Sequence, residues 1–211
     1  MKQFRFKTLD KYISNKTQLQ ILDIGSGSHS PSLTKQWKPA CIYTAIDINQ
    51  GYNNDEHDIK MMDKFIRMDL THLQLDNVPD NYYDIIFMSH IIEHLYNGDE
   101  VLKQLLPKLN AEGIIYIEFP SARSIRFPSM NETLNFFDDP THCRIFSLIE
   151  ICNILMRQKF KILKAGIRRD KSNIILIPFK VIHNFLTRGY IRAGTFWDLY
   201  GFAEYVVGKK S

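Results

Sequence analysis

Cysteine is scarce in this 211-residue chain: Cys41, Cys143 and Cys152 stand apart, and no Cys-x-x-Cys pair occurs. An odd, scattered set argues against a disulfide framework or a cysteine-built zinc site and suits a reducing compartment. Long apolar runs are lacking too. None approaches the ~20 residues that cross a bilayer, and Met1 to Asp10 carries charge where a secretory signal would be apolar. Repeats, low-complexity tracts and clear linkers are absent. The expectation is one cytoplasmic domain over residues 1–211, long enough to bury a sizeable core.

Charge is present but unevenly placed. Up to Met156 there are 15 basic and 20 acidic residues; from Arg157 onward there are 12 and 3. A basic end on an acidic body points to an anionic partner or to a solvated lysine-rich surface. Apolar residues from Ile174 to Phe185 follow Arg168, Arg169 and Lys171. That juxtaposition allows a peripheral membrane contact at the inner face of the membrane, although a helix packed on the domain is the commoner explanation.

The most informative stretch is Gln20 to Gly27, Gln-Ile-Leu-Asp-Ile-Gly-Ser-Gly. A short apolar strand runs into a turn with Gly25 and Gly27, and Pro31 suits the first turn of the helix that follows. A second strand, Cys41 to Ile48, ends at Asp47. Strand, glycine turn, helix, strand and acid in this order suit an adenosine-containing ligand. Further apolar segments at Phe65–Leu70, Ile85–Met88, Ile114–Phe119, Lys159–Ile167 and Ala203–Gly208 read as strands. Helices are expected at Phe4–Leu19, Pro31–Gln36, Asn97–Leu109 and Ser147–Arg157, and in part over Ile174–Thr187. Residues 49–63 read as a loop or ragged helix.

Asp23-Ile-Gly25-Ser26-Gly27 with Asp47 resembles the first two motifs of the class I S-adenosylmethionine-dependent methyltransferases. The likeness continues through Asp69, the strand ending Ser89-His90, Glu93-His94-Leu95 and Gly113–Phe119. It departs from the pattern at His29, where many members have a third glycine. The resemblance implies a Rossmann-like α/β sandwich: a seven-stranded, mostly parallel sheet whose last strand is antiparallel. It also implies S-adenosylmethionine as cofactor and S-adenosylhomocysteine as product. Cofactor contacts are expected from Asp23, Gly25, Ser26, Gly27, Asp47, Ile48, Met68, Asp69, Leu70, Ser89 and His90. The chain then divides into a cap helix (1–19), a cofactor core (20–119), an acceptor-site insertion (120–146) and the rest of the sheet with a helical insertion (147–211).

Asp139-Pro-Thr-His142-Cys-Arg144, with the later Tyr200-Gly201-Phe202, resembles a branch of that family associated with bacterial lipopolysaccharide and capsule assembly. The acceptor implied is a glycan, a glycolipid or a small molecule. A hydroxyl acceptor gains from a base, and histidine titrates in the right range. His142 is the first candidate, oriented by Asp139 or Asp138, and His90 is its rival. Glu93, His94 and Arg144 are candidate acceptor contacts. No metal is expected from spacing along the chain, although Glu93, His94 and His142 could meet in space.

Three alternatives stay open. One is a methyltransferase for RNA or a small metabolite; the absence of an added RNA-binding module and of an Asn-Pro-Pro-Tyr-type strand end argues against nucleic acid. Another is a non-catalytic cofactor-binding partner in a glycan assembly complex. A nicotinamide-dependent oxidoreductase is the third, weakened by the missing third glycine.

Overall fold

The computed structural model describes residues 2–13 and 16–211. Seven strands form one sheet: β1 (Gln20–Ile24), β2 (Ile42–Asp47), β3 (Lys64–Arg67), β4 (Tyr83–Ser89), β5 (Leu109–Pro120), β6 (Phe160–Ile167) and β7 (Ala203–Lys210). Their spatial order is β3-β2-β1-β4-β5-β7-β6. The pairings of β1 with β2 and β4, of β2 with β3 and of β4 with β5 are parallel, and β7 runs antiparallel to both β5 and β6. This is the mostly parallel sheet with an antiparallel last strand expected above.

Eight α-helices accompany it among the described residues: α1 (Phe4–Leu9), α2 (Ser30–Trp37), α3 (Glu56–Met61), α4 (Gly98–Leu105), α5 (Leu148–Arg157), α6 (Lys171–Ile175), α7 (Ile177–Arg188) and α8 (Trp197–Tyr200). The central strands are apolar on both sides because both faces are covered. Ile86 and Met88 of β4 join the core beneath α4 and α5, while Ile85 and Phe87 join the core beneath α1. A third cluster, Leu134, Ala193, Phe202 and Ala203, ties the irregular 121–146 segment to the C-terminal part.

Two elements differ from the sequence reading. The first helix ends at Leu9 rather than Leu19. Tyr12 and Ile13 keep their apolar contacts through a turn in which both backbone N–H groups donate to the Leu9 carbonyl, at 2.8 and 3.1 Å. A helical spacing of apolar residues therefore survives without the helix; residues 14–15 lie outside the described part. Helix α7 forms, but it is not packed down by its apolar side. Phe179 is 71% exposed and Leu186 77%, and Asn184 is the residue of α7 that is buried.

Candidate functional site

The parallel strands β1 to β5 all end at the same edge of the sheet, where connecting loops leave a crevice. A cleft of about 980 Å³ opens there. Its first wall is the turn after β1. Gly25 has φ +73°, and a Cβ at Gly25 would lie 1.9 Å from the Ile91 side chain; one at Gly27 would lie 2.8 Å from the Tyr52 ring and carbonyl. Only glycine fits at both. Asp23 does not line the cleft. It is buried beneath the loop, accepting from Ser30 Oγ and, at 2.6 Å, from Tyr43 Oη, with Arg5 at 4.0 Å. Ser26 is likewise buried and away from the cleft lining. These two residues, expected among the cofactor contacts, support the loop from below and do not line the cleft.

His29 explains the departure from the three-glycine pattern. Its backbone sits at φ +61°, a conformation glycine adopts more easily. Its ring is held by Asp58 Oδ2, 2.6 Å from Nδ1. Asp58 is also half of a capping box with Asp55 at the start of α3.

Two acids line the cleft from the next strands. Asp47 ends β2, and its Oδ1 accepts from the Asn49 N–H at 3.0 Å. Asp69 stands two residues beyond β3 and caps the short 3-10 turn Leu70–His72, its Oδ1 accepting from Thr71 N at 2.9 Å. Those bonds from Thr71 hold the Asp69 carboxyl below its usual range. Ile48, Met68 and Leu70 line the same region.

At the end of β4, Ser89 and His90 reach the cleft, and the Ser89 Oγ is buried without a hydrogen-bond partner. His90 lies between two buried carboxylates, with Nδ1 3.2 Å from Glu93 Oε1 and Nε2 3.1 Å from Glu118 Oε1. Burial alone would lower the His90 pKa; hydrogen bonding to and charge on Glu118 and Glu93 outweigh it and push it up to about 9. Glu118 also takes Arg168 Nη1 at 2.7 Å. Burial disfavours its charge, but Arg168 and then His90 overcome that, and its carboxyl lies well below the usual range. Both ring nitrogens of His90 face carboxylates, which favours the imidazolium and leaves neither nitrogen free to take a proton. That removes the ground for reading it as a base.

The opposite wall comes from the irregular 121–146 segment. Asp138 closes this segment on itself, accepting backbone N–H bonds from Met130, Leu134 and Asn135 at 3.2, 3.0 and 2.8 Å. Asp139, the other expected orienting acid, faces the cleft and accepts from Thr141 N at 2.9 Å and Oγ1 at 2.5 Å. Thr141 Oγ1 in turn accepts from His94 Nδ1 at 2.9 Å. His142 Nδ1–H donates to the Phe136 carbonyl at 2.7 Å, and its Nε2 is 3.9 Å from Asp139 Oδ2. The backbone N–H groups of Cys143 and Arg144 both donate to the Glu93 carbonyl, at 3.0 and 3.2 Å. These bonds pin the segment to the Ile92–His94 turn and bring Glu93, His94 and His142 together.

Arg144 is placed elsewhere. Its guanidinium bonds Asp99 at 2.7 Å and Glu150 at 2.9 Å and lies over the Phe146 ring. It clamps α4 to the start of α5 and does not line the cleft, where an acceptor contact was expected. Sequence reasoning missed Glu118, Tyr52 and Trp197. Glu118 had a signal: it is the one charged residue in the apolar run Ile114–Phe119.

Comparison with known proteins agrees with this architecture. A methyltransferase from Archaeoglobus fulgidus, described as S-adenosylmethionine-dependent, superimposes with a TM-score of 0.63 at 20% identity, over 98% of this chain and 91% of that one. A Haloferax volcanii complex of the Trm112 methyltransferase activator and a methyltransferase gives 0.64 at 14% identity, over 97% and 93%. The [4+2]-cyclase SpnF gives 0.63 at 19% identity, over 98% and 80%. A search of curated proteins returned no match. The sequence matches the family described as "Methyltransferase domain" across residues 2–165. The chain belongs to that methyltransferase-domain family.

Proposed function

We propose that the protein transfers a methyl group from S-adenosylmethionine to an oxygen of a glycan, glycolipid or small-molecule acceptor, releasing S-adenosylhomocysteine. The observation that carries this reading is one cleft walled on one side by Gly25, Gly27, Asp47 and Asp69 and on the other by Asp139, Thr141 and His142. The donor half fits the cofactor: the glycine cradle admits close backbone approach, and His29 stands where a dinucleotide fingerprint has its third glycine. Asp47 accepts the ribose hydroxyls, and Asp69 takes the adenine amino group while Met68, Leu70 and Ile48 flank the ring. Once bound, the donor supplies a methyl group already activated on a sulfonium.

What remains for the protein is positioning and management of one proton. Residues 120–146 act as the acceptor-side segment. As the acceptor oxygen bonds to the methyl carbon and the carbon–sulfur bond breaks, the hydroxyl proton must leave. His90 is badly placed to take it, because both its ring nitrogens are engaged by Glu93 and Glu118. His142 presents Nε2 on this side, its tautomer set by the Phe136 carbonyl, with Asp139 nearby to stabilise positive charge.

Helix α7 supports a peripheral membrane contact and hence a lipid-linked acceptor at the inner face of a cytoplasmic membrane: Phe179, Ile182, Phe185 and Leu186 are exposed beside Lys180 and Arg188. No helix among the described residues is long and apolar enough to cross a bilayer. A second reading is a cofactor-binding protein that does not methylate, since a [4+2]-cyclase shares this fold. Formation of S-adenosylhomocysteine in the presence of a panel of glycan, glycolipid, small-metabolite and RNA acceptors tests the proposal. Acceptor-dependent turnover is expected; donor binding with no turnover on any acceptor would favour the second reading.

A further inference from the structure

We infer that Glu93, His94 and His142 form a binding site for one divalent transition-metal ion at the acceptor end of the cleft. This rests on the reading of that end as the acceptor side, and it departs from the expectation, drawn from spacing along the chain, that the protein uses no metal. One ligand atom from each of the three residues lies within 4.8 Å of the other two. Metal–ligand bonds of roughly 2.1 Å put neighbouring ligand atoms about 3–3.5 Å apart, so small side-chain rotations complete the site.

Proximity alone would not make a site. Glu93 supplies the second observation. Its side chain is 1% exposed. Oε1 lies 3.2 Å from His90 Nδ1, while Oε2 is buried with no hydrogen-bond partner. A buried carboxylate oxygen without a partner is costly, and a cation beside it removes that cost.

The two histidines are arranged as metal ligands are. Each ring has its Nδ1 engaged, His142 by the Phe136 carbonyl and His94 by Thr141 Oγ1, whose own hydroxyl donates a hydrogen bond to Asp139. Such partners fix the tautomer and leave Nε2 with the lone pair. His142 Nε2 lies 3.9 Å from Asp139 Oδ2, so a second carboxylate stands beside the three ligand residues.

The other His/Asp group shows the contrast. His29, Asp55 and Asp58 are equally close together. There Asp58 Oδ1 accepts from Ser32, and Oδ2 accepts from His29 and the Asp55 N–H. Both of its oxygens are engaged in closing α3 onto α2, so its buried carboxylate has no unpartnered oxygen.

Two imidazoles and one carboxylate suit Mn²⁺, Fe²⁺, Co²⁺ or Zn²⁺ better than Mg²⁺ or Ca²⁺, which prefer oxygen ligands. Three protein ligands leave positions open for the acceptor. An acceptor hydroxyl bound there has its pKa lowered, so its proton passes to solvent water as the oxygen–methyl bond forms and the carbon–sulfur bond breaks. His142 then holds the ion in place of acting as a free base. Open neighbouring positions favour an acceptor with two adjacent oxygens, such as a vicinal diol.

The test is titration of chelator-stripped protein with Mn²⁺ alone, read by calorimetry and by loss of the free-ion electron paramagnetic resonance signal. One equivalent should bind with micromolar or tighter affinity. Because lost outer-shell partners already cost about 10–100-fold, His94→Ala and Glu93→Gln should each weaken binding by at least ~100-fold. His94→Ala touches a partly exposed ring, so the test survives if Glu93→Gln fails to fold. Absence of binding, or binding that neither variant weakens, would overturn the site. A parallel titration with S-adenosylmethionine separates the two claims: donor binding without Mn²⁺ binding would leave the methyl-donor reading standing and return His142 to the role of base.

Discussion

The two walls of the cleft are built on different principles. The donor wall uses strand ends and the turns directly after them: Gly25 and Gly27 after β1, Asp47 at the end of β2, Asp69 after β3. Each residue is placed by backbone geometry within a few positions of a sheet element. On the acceptor wall, segments far apart in sequence are held by hydrogen bonds. Glu93 and His94 follow β4; Asp139, Thr141 and His142 come from an irregular segment; Arg168 and Trp197 arrive from beyond α5. The first wall depends on steric fit and the second on a connected polar network. They should therefore fail differently when mutated.

The largest expected effect is on the donor wall. Gly25→Val places a β-branched side chain at φ +73° against Ile91. It should abolish measurable S-adenosylmethionine binding in calorimetry; retained affinity would break the steric account. On the other wall, His142→Ala should lower turnover by about 10²–10⁴-fold, the range for losing acid–base or metal assistance, with donor affinity unchanged. A parallel loss of donor affinity would show that the walls are not separate.

Asp47→Ala is expected to weaken donor binding by about 10–100-fold, the scale of one or two hydrogen bonds to a charged group. The same measurement on Asp23→Asn asks whether the buried acid acts only through the loop. Smallest should be Arg144→Ala. Its two partly exposed ion pairs contribute about 1 kcal/mol, so a modest drop in melting temperature with unchanged kcat/KM is expected. A raised KM would reinstate Arg144 as an acceptor contact.

The same contrast explains what was legible in the sequence. The order of strand, glycine turn, strand and acid is local, and residues 20–119 could be read from it. The alternation of apolar runs implied a doubly wound sheet, and the resemblance to the methyltransferases supplied its seven-stranded form with an antiparallel last strand. The acceptor wall required knowledge of partners. Nothing local distinguishes Asp138, which closes its own loop, from Asp139, which faces the cleft. Nor does the sequence around Arg144 announce that Asp99 and Glu150 occupy it. His90 was a candidate base by its place after β4, and no local signal tells that Glu93 and Glu118 flank its ring. Apolar spacing also misled twice, at Tyr12 and Ile13, which pack from a turn, and along α7, whose apolar residues face outward.

The central claim is that this cleft holds a sulfonium methyl donor through its ribose and adenine rather than a nicotinamide dinucleotide. Calorimetric titration of the purified protein with S-adenosylmethionine, S-adenosylhomocysteine and NAD tests it most directly. Micromolar binding of both sulfur compounds and none of NAD is the predicted result. Folded protein that binds neither sulfur compound would contradict the account and reduce the glycine turn and its acids to scaffold.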